Sequence, residues 1–299
     1  MVTFMGLNNF VSMLFKVKNY LSLVKFSHTI FAMPFAVTGY FLAYFGVPLK
    51  PDWLLFLKIL LCMVFARNAA MSFNRIVDRH FDKLNPRTNG REIPRGILSF
   101  KAVLVFTLTN SLLFIFTTYF INPLVFYLSP IALAIVLFYS YTKRFTMFSH
   151  LILGLGLSLA PIGAYLSVTG KFDIIPVLYS LLVLFWVAGF DIIYALQDEE
   201  FDRNTKLHSI PAAVGARGAL IIALVLHFIS ALLVVVIGFR ASFNFYYWIG
   251  AVIFISLMVL QHFLVRPTDI SKVNMAFATT NGMASVLFTI FNILSILNF

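Results

Sequence analysis

The sequence predicts an all-α fold, a polytopic membrane bundle of about nine transmembrane helices, and three observations carry that prediction. Hydrophobic residues make up 61% of the chain and charged ones only 11%, with a mean hydropathy of +0.95, far from a soluble globular mixture. The apolar residues gather in runs long enough to cross a bilayer core, which takes about 20 residues of helix. Basic residues fall on every second loop between those runs, as the loops of a membrane bundle require.

In chain order, spans are expected near 27–47, 53–79, 101–121, 123–142, 148–168, 174–196, 218–238, 245–265 and 274–297. Residues 27–299 then form one transmembrane domain, preceded by a separate segment, 1–26. In that segment Phe4, Leu7, Phe10, Val11, Leu14 and Phe15, with Lys16 and Lys18, read as a helix lying on the membrane surface. It does not read as a secretory signal, having no basic region before an apolar run and no small-residue cleavage site. Cys62, the single cysteine, lies inside a span, which excludes a disulfide framework and a cysteine metal site.

The formal net charge of +11 raises the question of nucleic acid, but the placement of the bases answers it. Lys16, Lys18 and Lys25; Arg79 to Arg95; Lys143 and Arg144; Arg203, Lys206 and Arg217; and Arg266 and Lys272 all fall on alternate loops, whereas the opposite loops hold little beyond Lys50, Lys171 and Arg240. An odd number of spans with a cytoplasmic N-terminus accounts for the whole set, so the partner is membrane lipid and no nucleic acid is expected. The expected location is the inner, cytoplasmic membrane of a bacterium, with the N-terminus and the acid-bearing loops on the cytoplasmic side.

Of eleven acidic residues, Asp52, Glu92, Asp173 and Asp269 are scattered. The other seven form two groups at the ends of spans: Asp78 and Asp82, then Asp191, Asp198, Glu199, Glu200 and Asp202. Asn74, Asp78 and Asp82 are spaced i, i+4, i+8, which stacks them on one helix face, and Tyr194, Asp198 and Asp202 repeat the spacing. Each group is followed by a base and an Ile-Pro pair, Arg87 with Ile93-Pro94 and Lys206 with Ile210-Pro211, as an internal duplication would leave. Carboxylates four residues apart repel one another unless a cation lies between them. Oxygen ligands without sulfur suit Mg²⁺, which takes one or two carboxylates and completes its shell with water and substrate phosphate. The alternative is that these acids are juxtamembrane charges paired with Arg75, Arg79 and Arg203.

The stretches Asn74-Arg-Ile-Val-Asp78-Arg-His-Phe-Asp82, Asn85-Pro-Arg87-Thr88 and Arg91-Glu-Ile-Pro94-Arg-Gly96, with Asp191-Ile-Ile-Tyr194-Ala-Leu-Gln-Asp198-Glu-Glu-Phe-Asp202-Arg-Asn-Thr-Lys206, resemble the paired aspartate motifs of the UbiA superfamily of intramembrane prenyltransferases. The resemblance implies a helical bundle around a central cavity open to the membrane, with Mg²⁺ and a polyprenyl diphosphate held at its cytoplasmic rim. Asn74, Asp78 and Asp82 would serve one metal, and Asp198 and Asp202 the other. Lys206 would hold the diphosphate, as would Lys143 in the Tyr139-Ser-Tyr-Thr-Lys143-Arg144 stretch. Asp191, about two turns deeper than Asp198, would face the acceptor, making Asp78, Asp191 and Asp198 the expected catalytic acids. The Asp78-Arg79 and Arg87-Thr88 pairs look most like the 4-hydroxybenzoate polyprenyltransferase branch, which would prenylate an aromatic acceptor in ubiquinone or menaquinone biosynthesis. Where that branch reads Arg-Pro-Leu-Pro this chain has Arg91-Glu92-Ile93-Pro94, a variant associated with menaquinone made by the futalosine route. Other acceptors in the superfamily are haem, chlorophyllide and homogentisate.

Arg67 lies seven residues before Asn74 and thus on the same face, about two turns deeper. A buried guanidinium there needs a partner. It is either a bidentate clamp for an acceptor carboxylate or a structural pair with Asp191 or a carbonyl. Arg75 lies off that face and is expected to contact a phosphate or headgroup. An ion-coupled transporter is the rival from another class, but it would carry its acids near the bilayer midplane, and here they sit at span ends.

Overall fold

The computed structural model describes residues 17–25, 31–45 and 50–298. The surface-helix expectation for the leading segment therefore lies outside the described residues, apart from a helical stretch at 17–23.

The described residues form helices and no named strand; the sole β feature is a bridge between Arg266 and Asp269. The helices are α1 (Met33–Leu42), α2 (Trp53–Val77), a short α3 (Arg79–Leu84), α4 (Phe100–Tyr119), α5 (Pro123–Thr142) and α6 (Ser149–Thr169). They continue with α7 (Ile174–Ala195), a short α8 (Glu199–Asn204), α9 (Ile210–Arg240), α10 (Phe245–Leu264) and α11 (Asn281–Leu297). Eight helical segments are long and apolar enough to cross a membrane, and α1 is a shorter apolar helix. The chain is an integral membrane protein, and the expected spans hold to within a few residues where they are described. The seventh is longer than expected. It begins at Ile210, with Gly215 at φ 71° and ψ 169° marking a kink that lets helix run on either side of it.

Local chemistry sets the helix ends. The side chains of Asp52, Ser99, Asn122, Asp173, Ser209 and Asn244 each accept from a backbone N–H of the helix that follows. Two scattered acids, Asp52 and Asp173, are thus helix caps. Glu92 accepts from the Ser22 hydroxyl at 2.5 Å, and Asp269 ties the turn around the Arg266 bridge.

Packing divides the bundle into a filled side and an open side. Phe35, Tyr179, Trp186, Tyr247, Phe254 and Phe288 are each less than 2% exposed and interlock in one core. Helices meet most closely at small residues: a Cβ on Gly39 would lie 2.1 Å from the carbonyl oxygen of Pro161, and one on Gly154 2.4 Å from that of Leu184. On the other side α2, α5 and α6 line an apolar cavity of about 410 Å³.

Candidate active site

Both acidic groups are built the same way. The long helix α2 ends at Val77; Asp78 follows with φ −87° and ψ 3°, and α3 starts at once. Asn74 is on the long helix, Asp78 at the break and Asp82 on the short one. In the second group α7 ends at Ala195, a 3₁₀ turn covers Leu196–Asp198, and α8 follows. Tyr194, Asp198 and Asp202 occupy the corresponding three places. The repeated spacing is therefore a repeated construction, helix, break and short helix.

These elements surround a charged cavity of about 150 Å³ lined by five carboxylates, Asp78, Asp82, Asp191, Asp198 and Asp202, and four bases, Arg87, Arg91, Lys143 and Arg144. Asn74, Tyr139 and Tyr194 also line it. Arg87 clasps Asp198, its Nε donating to Oδ1 at 2.8 Å and its Nη2 to Oδ2, while Asn85 donates to the same Oδ1 at 2.9 Å. Arg91 donates to Asp82 at 2.5 Å. Lys143 reaches Asp202 at 3.4 Å, and Arg144 lies 3.7 Å from Asp78 while donating to the Val77 carbonyl. The Asn74 amide donates to Asp78 at 2.8 Å. Arg87 also donates to the Tyr194 hydroxyl at 3.4 Å, and the Tyr194 ring stacks on Phe277 with centroids 4.0 Å apart. Deeper in, His150 lies 2.7 Å from Asp191.

Charge crowding shifts the titrations at the rim. Burial, and then the neighbouring Asp82, push the Asp78 carboxyl up to about 6. Burial works against the charge on Lys143, but Asp202, Asp198, Asp191 and Asp78 outweigh it and raise the ammonium above its ordinary value.

Most expected site residues are brought together here. Three are not. Lys206 is exposed and outside the cavity lining. It sits at φ 58°, just past the end of α8, where Leu207 N–H turns back to the Asp202 carbonyl at 2.9 Å. Arg75 is buried at 4% exposure, its Nε donating to the Leu23 carbonyl at 3.4 Å. The 17–23 stretch covers it, so it is no headgroup contact. Arg67 lines the apolar cavity rather than the charged one, donates to the Lys25 carbonyl at 3.3 Å, and leaves a buried Nε without a protein partner. The local pairings of Arg75 and Arg79 with the acids are also absent: Arg79 donates to the Ile76 carbonyl, and of the three only Arg203 pairs locally, with Glu199. The partners Asn85, Arg91, Arg144 and His150 were not foreseen as site residues. A base after an acidic helix end hints at Arg91, and Arg144 stands beside Lys143, which was expected in the site. A lone histidine carries no such signal.

Among the described residues no three His, Cys, Asp or Glu side chains converge as a self-sufficient metal cage. The donor set suits Mg²⁺, which needs few protein ligands when phosphate supplies the rest. The buried Oδ2 of Asp82 has no protein partner and is free to ligate. The charged and apolar cavities share Asn74 and Tyr139 in their walls, so an ionic head and a long apolar tail can be held end to end.

Comparison with known proteins agrees with this geometry. The UbiA prenyltransferase family profile matches residues 32–291. A 4-hydroxybenzoate octaprenyltransferase of Francisella tularensis subsp. novicida is 29% identical over 226 residues, covering 76% of this chain and 79% of that protein. The apo structure of a UbiA homolog from Aeropyrum pernix superposes with a TM-score of 0.77 at 27% identity, covering 91% of this chain and 97% of that one. A UbiA homolog from Archaeoglobus fulgidus, solved with DMAPP and Mg²⁺, shares the fold at a TM-score of 0.75 and 20% identity, over 94% of this chain and 100% of that one.

Proposed function

The chain belongs to the UbiA prenyltransferase family, and from that premise we propose that it moves a polyprenyl group from polyprenyl diphosphate onto an aromatic carboxylate of the 4-hydroxybenzoate kind, in quinone biosynthesis at the inner membrane of a bacterium. The observation that carries this reading is the meeting of a carboxylate-lined cavity and an apolar one at Asn74 and Tyr139. The names of the relatives support the acceptor class.

Asn74, Asp78 and Asp82 would hold one Mg²⁺ and Asp198 and Asp202 a second, the ions neutralising the diphosphate as it leaves. Lys143 binds the diphosphate as a point charge, and Arg87, Arg91 and Arg144 keep the carboxylates oriented. Lys206 sits at the rim and takes no part in this arrangement. The allylic C–O bond breaks with its electron pair on the diphosphate, and the ring of the acceptor forms the new C–C bond. Until then the apolar walls of α2, α5 and α6 keep water from the allylic cation. Asp191 faces the acceptor, and Arg67, with its unpartnered Nε, is the group suited to hold the acceptor's carboxylate.

Purified protein incubated with labelled prenyl diphosphates and a panel of aromatic acids tests this. Mg²⁺-dependent pyrophosphate release matched by a prenylated aromatic acid is expected; release without any prenylated aromatic carboxylate overturns it. The Arg91-Glu92-Ile93-Pro94 stretch favours a second acceptor, the aromatic carboxylate precursor of futalosine-route menaquinone, and the same panel distinguishes the two.

A further inference from the structure

His150 opens the first turn of α6 and is completely buried, at 0% exposure. It does not line the charged cavity, but Asp191, its partner at 2.7 Å, does. On the far side of the imidazole, the backbone N–H of Ile210 points at Nε2 at 3.4 Å. That N–H belongs to the first residue of α9 and has no carbonyl in its own helix to bond.

The two contacts fix the tautomer. A backbone N–H can only donate, so Nε2 presents its lone pair, and the single proton of the neutral ring is on Nδ1, directed at Oδ2 of Asp191. One side chain thereby joins the start of α6, the last turns of α7 and the start of α9. No other hydrogen-bonding group contacts Asp191 among the interactions described.

We propose that His150 is the positioning residue of Asp191: its Nδ1–H holds one carboxylate oxygen and keeps the other turned into the cavity toward the acceptor. This rests on the prenyl-transfer reading above. When the new C–C bond forms, the ring carbon must lose its hydrogen as a proton to regain aromaticity, and the free oxygen of Asp191 receives it. The allylic electron pair has by then left with the diphosphate, so charge and atoms balance. A carboxylate free to rotate between cavity and helix interior would present that oxygen only part of the time.

Two substitutions separate the two ends of the imidazole. In His150→Asn the amide nitrogen falls where Nδ1 was, so the donor to Asp191 survives and the acceptor for Ile210 N–H is lost. In His150→Gln the terminal amide reaches the Nε2 position, so Ile210 keeps an acceptor and Asp191 loses its donor. We expect His150→Gln to keep the detergent melting temperature of the wild type and the KM for prenyl diphosphate, with kcat falling on the order of 10- to 100-fold, the worth of a charge-assisted hydrogen bond. His150→Asn should recover most of that kcat despite a lower melting temperature. Should Gln turn over at the wild-type rate, or should Asn be slow and Gln fast, the histidine is only a cap for α9 and the proposal fails. Wild type and Asp191→Asn are run alongside. A wild type that prenylates no aromatic acceptor refutes the underlying reading, while an active wild type with an equally active Asp191→Asn refutes only the role of Asp191; either result removes this proposal too.

Discussion

Arg87, in the loop after the first acidic group, closes on both oxygens of Asp198, which lies 111 residues further along at the break between α7 and α8. The two acidic groups are thus tied to each other, since the loop that leaves one supplies the cation for the other. Asp198→Asn and Asp78→Asn should each abolish turnover; the melting temperature should stay within a few degrees in Asp78→Asn and fall further in Asp198→Asn, which leaves the half-buried Arg87 guanidinium facing an amide. Arg87→Lys should lower kcat/KM roughly 10- to 100-fold, as one ammonium cannot satisfy both oxygens. Steady-state pyrophosphate release beside thermal denaturation checks both; wild-type rates in Asp78→Asn at saturating Mg²⁺ would sink the metal assignment.

The raised pKa of Asp78, about 6, predicts how Mg²⁺ acts with pH. A carboxyl whose folded pKa exceeds its unfolded value binds more protons when folded. Between the ordinary carboxylate range and about 6 its ionisation therefore costs stability as pH rises. Mg²⁺ relieves that cost only where Asp78 is ionised. The rise in melting temperature caused by Mg²⁺ should be larger at pH 7.5 than at pH 5, and the apparent KM for Mg²⁺ should climb about tenfold per unit once pH falls well below the pKa. Equal Mg²⁺ shifts at both pH values would contradict this, and in the Asp78→Asn variant the melting-temperature shift should lose its dependence on pH.

Arg67 contacts the Lys25 carbonyl through one nitrogen and leaves Nε unpartnered at the cavity wall. Arg67→Ala should raise the KM of the acceptor and leave that of the prenyl diphosphate nearly unchanged. The lost bidentate contact should cost on the order of 2–4 kcal/mol, or roughly 30- to 1000-fold in kcat/KM. Lysine should recover only part of it. A normal acceptor KM beside a lowered melting temperature would make Arg67 a structural support for residues 17–25.

Loops carrying Lys83, Arg144, Lys206 and Lys272 should all face the cytoplasm. With the buried Cys62 replaced by alanine, single cysteines at these positions in intact cells should resist a membrane-impermeant maleimide and react after permeabilisation. Reaction from outside at any of the four would reverse the orientation.

The sequence by itself determined the order of the spans and their approximate bounds, because crossing a bilayer demands a local run of apolar residues that no distant contact can replace. It also grouped the acids that come to line the charged cavity, since i, i+4 spacing on Asn74, Asp78 and Asp82 and on Tyr194, Asp198 and Asp202 is a property of the helix itself. It said that Asp191 would lie deeper than Asp198 but not what holds it. Only the tertiary structure decided which partner answers which carboxylate: the cations Arg87 for Asp198, Lys143 for Asp202 and Arg144 for Asp78, and the imidazole of His150 for Asp191. Each of these partners is far away in the chain, and their meeting depends on how helices pack side by side. The same packing buried Arg75 under Leu23 and left Lys206 outside the cavity, two outcomes for which helical spacing carries no information.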